Sequence, residues 1–121
     1  MTSPGTRVMA WAAAWQSRNP DQVAALYACD ATHASAVVTQ LFPEAKASVL
    51  KGRDQIREYA SRGMARFTTL RFEILSVLES DTGAAVEYLR HSNLDTDQPT
   101  HVLELIEWDR ERIKSVRVFH F

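Results

Sequence analysis

Three polar side chains of this chain have the types and the spacing for proton transfer. His33 and Ser35 lie two residues apart in a stretch that favours a β-strand, so their side chains would share one face. An imidazole titrates near neutral pH, which makes His33 the best candidate for a general base, with Ser35 to orient it or to bind a substrate oxygen. Glu104 stands in an otherwise apolar segment, HVLELIEW, where a carboxylate is costly. Acid-base catalysis is therefore the chemistry that these residues favour.

The other two polar residues next to His33 are interpreted structurally. Cys29 and Asp30 are expected at the exit of a helix, and Cys29 is expected to be a buried, inert thiol because no base is adjacent. The alternative for His33 is a half-exposed strand residue hydrogen-bonded to a neighbour. A serine nucleophile is not predicted, since the sequence lacks a GxSxG elbow.

Two interpretations of Glu104 stay open. A lone carboxylate in an apolar strand resists ionisation unless it is paired. If the turn DTDQP closes with five residues, Glu104 lies across from Arg90, and the two form a structural ion pair. The other interpretation is an acid used in catalysis, and a register change of one residue would remove the pairing.

Composition argues against several classes of protein. The chain has 121 residues, a formal net charge of -1 and one cysteine, so we expect a single domain with no disulfide and no attraction to nucleic acid or anionic membranes. The four histidines never occur at HxH or HxxxH spacing, and neither a metal nor a cofactor is predicted. The apolar stretch near the start is too short for a signal peptide or a membrane span, and a cytoplasmic location is expected.

The order of elements predicts an α+β fold. Ser3-Pro4 and Asn19-Pro20 are helix-start signals, and Gly52 opens a third helix that continues to Phe67. Strands are predicted over residues 31–38, 69–80, 84–94, 100–108 and 113–121, with an irregular stretch after the first that has room for another short strand. Three N-terminal helices would pack against a strongly curved, mainly antiparallel sheet.

The later strands carry apolar side chains on both faces. In HVLELIEW, Val102, Ile106 and Trp108 alternate onto one face, while Leu103 and Leu105 lie on the other. A sheet face that is apolar and turned away from the helices usually marks an interface, which predicts a homodimer.

Several strings in this order resemble the nuclear transport factor 2-like superfamily, in particular its SnoaL-like and ketosteroid isomerase-like branches. They are WAAAWQSRNPDQVAALYACDAT, GRDQIREY and ELIEWDRERIKSVRVF, and with the element order they cover nearly the whole chain. The resemblance implies one domain over residues 1–121, shaped as a cone-like α+β barrel that encloses a pocket for small, apolar molecules.

The resemblance also assigns positions inside that pocket. Ser35 falls near the catalytic carboxylate of the ketosteroid isomerases, Trp11 replaces their oxyanion-stabilising tyrosine, and Glu104 lies near their second acid. His120 is the nearest candidate for the late-strand acid of the cyclases. The catalytic candidates are thus His33, Ser35, Glu104 and His120, and the ligand-contact candidates are Trp11, Tyr59, Tyr88, Arg90, Trp108, Val116 and Val118. Trp15 and Tyr27 are assigned to core packing.

These expectations favour a domain that binds a small apolar molecule, with weak isomerase- or cyclase-type acid-base chemistry. The alternative is a non-catalytic dimeric interaction or ligand-carrier module with a vestigial pocket. A cavity plugged by Trp11, Phe67 or Trp108 would favour that alternative.

Overall fold

The computed structural model describes residues 5–44 and 48–121, so the helix start predicted at Ser3-Pro4 lies outside the described residues. The helices are α1 (Thr6–Gln16), α2 (Pro20–Ala24), α3 (Val37–Leu41) and α4 (Arg53–Met64). The strands are β1 (Tyr27–Ala34), β2 (Val49–Lys51), β3 (Leu70–Glu79), β4 (Gly83–Ser92), β5 (Thr100–Asp109) and β6 (Arg112–His120).

One curved, unclosed sheet holds all six of these strands in the order β2-β1-β6-β5-β4-β3. The pair β1 and β6 is parallel, and every other pair is antiparallel. Helix α4 packs on β1 and α1 packs on β3. The predicted α+β class, with helices against a mainly antiparallel curved sheet, is confirmed. None of the described helices is long and apolar enough to cross a membrane.

The start of α2 follows the local sequence closely. Asn19 Oδ1 accepts a hydrogen bond from the Asp21 backbone N–H at 2.9 Å, and Pro20 occupies the first turn. Asn19 therefore caps α2, because its side chain bonds the Asp21 backbone N–H, which has no partner within the helix.

The first strand differs from its prediction. It runs from Tyr27 to Ala34 instead of over residues 31–38, and Val37 and Val38 lie in α3, which makes four helices in the described part of the chain rather than three. Pairing with β6 decides the strand's start, because the Ile113 N–H donates to the Leu26 carbonyl at 2.7 Å. A tertiary contact thus determines where the strand begins, which a local pattern of residues does not contain.

Cys29 and Asp30 consequently belong to β1 and not to a helix exit. The thiol of Cys29 is exposed, so the expectation of a buried cysteine is wrong. The pairing of β1 with β6 is irregular between Tyr27 and Thr32, and side chains in this part of β1 do not alternate regularly between the two faces of the sheet.

The register between β4 and β5 removes the predicted ion pair. Glu104 pairs with Val86, and Arg90 pairs with Thr100, so Arg90 and Glu104 are not opposite each other. Residues 91–99, rather than DTDQP alone, connect the last paired residues of β4 and β5, and the Asn93 side chain within this connection is bound to the segment after α4. Its Oδ1 accepts from the Thr68 N–H at 2.8 Å. The four-residue shift in register is even, so both side chains still face the helices.

Candidate active site

A cavity of about 330 Å³ lies between the inner face of the sheet and helices α1, α3 and α4. Its size falls at the lower end of the range for small-molecule pockets, about 300–1,000 Å³. Aromatic side chains form much of its wall: Trp15, Tyr59, Phe67, Phe72 and Tyr88. The polar part of the wall comes chiefly from His33, Ser35, Arg66, Arg90, Glu104 and His120.

His33 is held by its neighbours on the β1 side of the cavity. The side chain is 2% exposed, the ring of Tyr59 lies 4.8 Å from it between centroids, and the Tyr27 hydroxyl lies 3.3 Å from its Nδ1. Burial lowers the pKa of His33 to about 4, so the imidazole is neutral at pH 7. Its partner is Tyr27 and not Ser35, whose Oγ instead accepts from the Val37 N–H at the start of α3.

Glu104 provides the carboxyl group on the β5 side of the cavity. It is 6% exposed, and its Oε1 accepts a hydrogen bond of 2.6 Å from the Tyr88 hydroxyl. Burial raises the pKa of Glu104 to about 7, against the opposing effects of Tyr88 and the Trp11 indole. The group is therefore close to half ionised at neutral pH, which suits proton exchange with a ligand.

Three polar atoms in the wall of the cavity have no hydrogen-bond partner among the described residues. They are Glu104 Oε2, His33 Nε2 and Trp15 Nε1, and each is shielded from solvent. A buried polar atom left unpaired costs on the order of 1–3 kcal/mol. Each atom has almost no accessible surface, so a ligand in the cavity would reach it only after neighbouring side chains move.

The more exposed part of the wall contains Arg90 and His120. Arg90 donates to both carboxylate oxygens of Asp95, at 2.9 and 3.1 Å. Burial alone would raise the pKa of Asp95, but hydrogen bonds from Arg90, Ser92 and Thr100 lower it to about 2. The pKa of His120 is lowered, mainly by burial and further by the nearby Arg90 charge. Arg90 is thus neutralised by a loop carboxylate instead of by Glu104.

Most of the candidates named from the sequence line this one cavity. All four catalytic candidates do so, as do four of the ligand-contact candidates: Tyr59, Tyr88, Arg90 and Val118. Their roles stay predictions.

Trp11, Trp108 and Val116 lie outside the cavity. Trp11 is fully buried, with its ring 5.4 Å from Phe72 and 5.5 Å from Tyr88 between centroids, so these two side chains separate it from the open space. The Arg7 guanidinium covers the ring of Trp108 at 4.4 Å. Val116 pairs with His33 and Ile106 in the sheet and is 1% exposed.

Two contributors to the site, Trp15 and Tyr27, are residues that the sequence predicts to serve core packing. Trp15 lines the cavity and follows Trp11 by one helical turn, a spacing that would have placed both on the same side of α1. Tyr27 is the partner of His33, yet the two are six residues apart across an irregular strand, where alternation does not predict facing. In the described ranges, no three His, Cys, Asp or Glu side chains are grouped so that they could hold a metal ion.

The model of the SnoaL-like domain family matches residues 8–119. No curated protein matches the chain significantly.

Solved structures share the fold. A SnoaL-like protein of unknown function from Burkholderia thailandensis superposes with a TM-score of 0.77 at 18% identity, covering 93% of this chain and 89% of that one. A hypothetical protein with a ketosteroid isomerase-like fold from Catenulispora acidiphila, in complex with trimethylamine, gives 0.74 at 24% identity, with coverages of 97% and 86%. A proposed polyketide cyclase from Sinorhizobium meliloti gives 0.74 at 14% identity, with coverages of 96% and 95%.

Proposed function

Because the chain belongs to the SnoaL-like domain family, we propose that it binds a small, largely apolar molecule in the cavity and transfers a proton on it, as isomerases and cyclases do. The observation that carries the proposal is Glu104. It is a buried carboxyl group in an aromatic cavity, with one oxygen held by Tyr88 and the other unpartnered among the described residues.

Glu104 fits both halves of a proton transfer. With a pKa of about 7, the carboxylate can take a proton from a carbon acid and return it to a second atom without a separate acid. The Tyr88 hydrogen bond fixes Oε1, and we assign the contact with the substrate to Oε2, the oxygen without a hydrogen bond, although the Trp11 indole also acts on this carboxyl. His33, with a pKa of about 4, is a weak base, so the general-base role expected of it passes to Glu104 in this proposal.

The proposal predicts that the protein catalyses exchange of carbon-bound hydrogen. Small cyclic ketones such as cyclohexanone, incubated with the protein in D₂O, are expected to gain deuterium next to the carbonyl, and cyclohex-3-enone is expected to isomerise to cyclohex-2-enone. Both are followed by NMR. The rate should rise with pH up to about 7, since only ionised Glu104 takes a proton. Glu104→Gln should lower it by about 10²–10⁴-fold.

Glu111→Gln is the matched control, since it removes a carboxylate that is exposed in the turn before β6. An unchanged rate in Glu104→Gln would exclude Glu104 as the proton-transfer group. Tight binding of ketones without any exchange would favour the carrier alternative over an enzyme.

The open cavity supports a ligand-binding role, since none of Trp11, Phe67 and Trp108 fills it. A reducing, cytoplasmic location, for which the single cysteine is the support, is part of the same proposal.

A further inference from the structure

The opening of the cavity carries two arginine side chains, Arg66 and Arg90, while the wall behind them is largely aromatic. The Arg90 guanidinium lies over the ring of Phe67, the residue after Arg66, at 5.3 Å from the ring centroid. The two arginines therefore reach the cavity at neighbouring points of its wall. We call this part of the wall, Arg66 together with Arg90, the rim.

The backbone that carries Arg66 is held from two directions. The Arg66 carbonyl accepts a hydrogen bond from Asn93 Nδ2 at 3.1 Å. The carbonyls of Phe67 and Thr68 accept from the Arg18 guanidinium at 3.1 and 2.7 Å. The Arg66 side chain is thus exposed on a fixed backbone, so less conformational freedom is lost when it binds a ligand than on a mobile loop.

Only one of the two rim charges is compensated among the described residues. The Arg90 guanidinium is paired with Asp95, whose carboxylate also accepts hydrogen bonds from two hydroxyl groups. Arg66 takes part in none of the ion pairs formed within residues 5–44 and 48–121. Burial lowers the pKa of His120, so its imidazole adds little charge at pH 7. The rim therefore carries about one net positive charge, that of Arg66.

The rim and the interior of the cavity differ in what they offer to an anion. Burial raises the pKa of the Tyr59 hydroxyl to about 12, and the positive charges of Arg90 and Arg66 oppose this rise, so both charges act inside the cavity. Glu104 is the buried carboxyl group of the interior. An anion beside it would lose its hydration and be repelled by ionised Glu104. A negative group on a ligand is favoured only at the rim, where water still reaches it.

We infer that Arg66 binds the carboxylate of an amphipathic ligand whose apolar body lies in the cavity. The substrate class is accordingly a small, apolar monocarboxylic acid, because one uncompensated positive charge matches one negative charge. The inference rests on the proposed function for the inner end of the ligand. With its carboxylate at the rim, the ligand turns the opposite end of its apolar body towards Glu104, so the carbon that exchanges its proton lies away from the acid group.

Paired probes without a ketone provide the first test. Cyclohexanecarboxylate and cyclohexanecarboxamide have nearly the same shape, but only the first is charged. The carboxylate is expected to bind about fivefold more tightly at low salt and to shift the Arg66 Nε–H resonance in NMR spectra. This preference should shrink as the salt concentration rises from about 0.02 to 0.5 M, because an exposed ion pair is screened. Equal affinities at low salt would overturn the inference.

An arginine outside the cavity provides the matched control. Arg66→Gln should weaken binding of the carboxylate about fivefold and leave binding of the carboxamide unchanged. Arg71→Gln removes the same charge from an exposed position on β3. Because its neighbour Phe72 lines the cavity, Arg71 faces the other side of the sheet, and its replacement should alter neither affinity. Equal losses in the two variants would assign the preference to overall charge and overturn the rim site.

Glu104→Gln separates the rim site from the proposed function. It should abolish deuterium exchange next to the carbonyl of 4-oxocyclohexanecarboxylate and keep the preference for carboxylate over carboxamide. If the wild-type protein shows that preference without catalysing exchange, the proton-transfer assignment fails and the rim site stands. If exchange occurs and the preference is absent, the rim site fails and the proposed function stands.

Discussion

Burial acts in opposite directions on the two central titratable residues of the cavity. It raises the pKa of the Glu104 carboxyl to about 7 and lowers the pKa of the His33 imidazole to about 4. In both cases the neutral form is favoured, because an apolar surrounding destabilises the charged one. The two groups therefore affect the pH dependence of stability with opposite signs.

Replacing Glu104 by Gln is expected to stabilise the protein increasingly as pH rises from about 4.5 to 7. In this window native Glu104 keeps a proton that the unfolded chain releases, so the free energy of unfolding of the wild type falls with pH. The pH-dependent gain amounts to on the order of 3 kcal/mol above pH 7. The groups nearest the carboxyl, Tyr88 and Trp11, do not ionise in this range.

Urea unfolding between pH 4 and 8 measures this difference. The His33 contribution, which rises with pH between about 4 and 6.5, is present in both proteins and cancels in the subtraction. Glu111→Gln, at an exposed carboxylate, should give a flat difference. A pH-independent difference for Glu104→Gln would show that this carboxyl keeps an ordinary pKa.

At the scale of elements, the start of α4 depends on one backbone conformation. Gly52 precedes the helix with φ 89° and ψ 150°, a region that side-chain-bearing residues rarely adopt. Its N–H donates to the Ala31 carbonyl at 2.7 Å, which ties α4 to β1 beside His33. The helix that contributes Tyr59 to the cavity is thus placed by a glycine.

Gly52→Ala is expected to lower the free energy of unfolding by about 1–3 kcal/mol, since alanine is strained at positive φ. Gly63→Ala is the matched control within the same element. Gly63 lies inside α4, and an added Cβ would meet Leu41 Cδ1 at an ordinary 3.5 Å, so this change should stabilise by about 0.5–1 kcal/mol. Chemical denaturation of both variants checks the pair. Equal effects of the two changes would contradict the explanation by backbone conformation.

At the scale of the whole molecule, the face of the sheet turned away from the helices carries exposed apolar side chains between polar pairs such as His101–Glu87. Leu103 pairs with Phe119, and Leu78 pairs with Ala85, beside Leu105. Phe119 is 46% exposed and Leu78 is 73% exposed. We propose that a second copy of the chain covers this face, since burial against an equivalent surface would stabilise its exposed apolar side chains.

Sedimentation at micromolar concentration is expected to give the mass of a dimer. Phe119→Glu should shift it towards the monomer, because the new charge would be buried without a partner. Met9→Glu provides the control, as Met9 is a comparably exposed apolar residue of α1 on another surface. A monomeric mass for the wild-type protein would refute the dimer.

Much of this architecture could be predicted from local signals. Asn19-Pro20 starts α2, Gly52 precedes α4, and the alternation of β4 and β5 gives their facing correctly. These features depend on capping, backbone conformation and side-chain parity, which a short window of residues contains.

The sequence-based predictions were wrong where contacts between residues far apart in the chain determine strand register and strand bounds. The Arg90–Glu104 pairing failed because Asn93 is bound to the segment after α4, which lengthens the loop and moves the register by four residues. The first strand began early because Leu26 hydrogen-bonds to Ile113. Trp108 is predicted to contact a ligand, but its ring lies outside the cavity under the Arg7 guanidinium.

The sequence by itself determined the fold class and the polar side chains that face inward, since parity along a strand is a local property. Only the tertiary structure decided which of them act together. It paired His33 with Tyr27 and separated Glu104 from Arg90, and it buried both titratable groups so that His33 is neutral and Glu104 is about half protonated at neutral pH. The physical reason is that register, burial and hydrogen-bond partners depend on contacts between residues far apart in the chain.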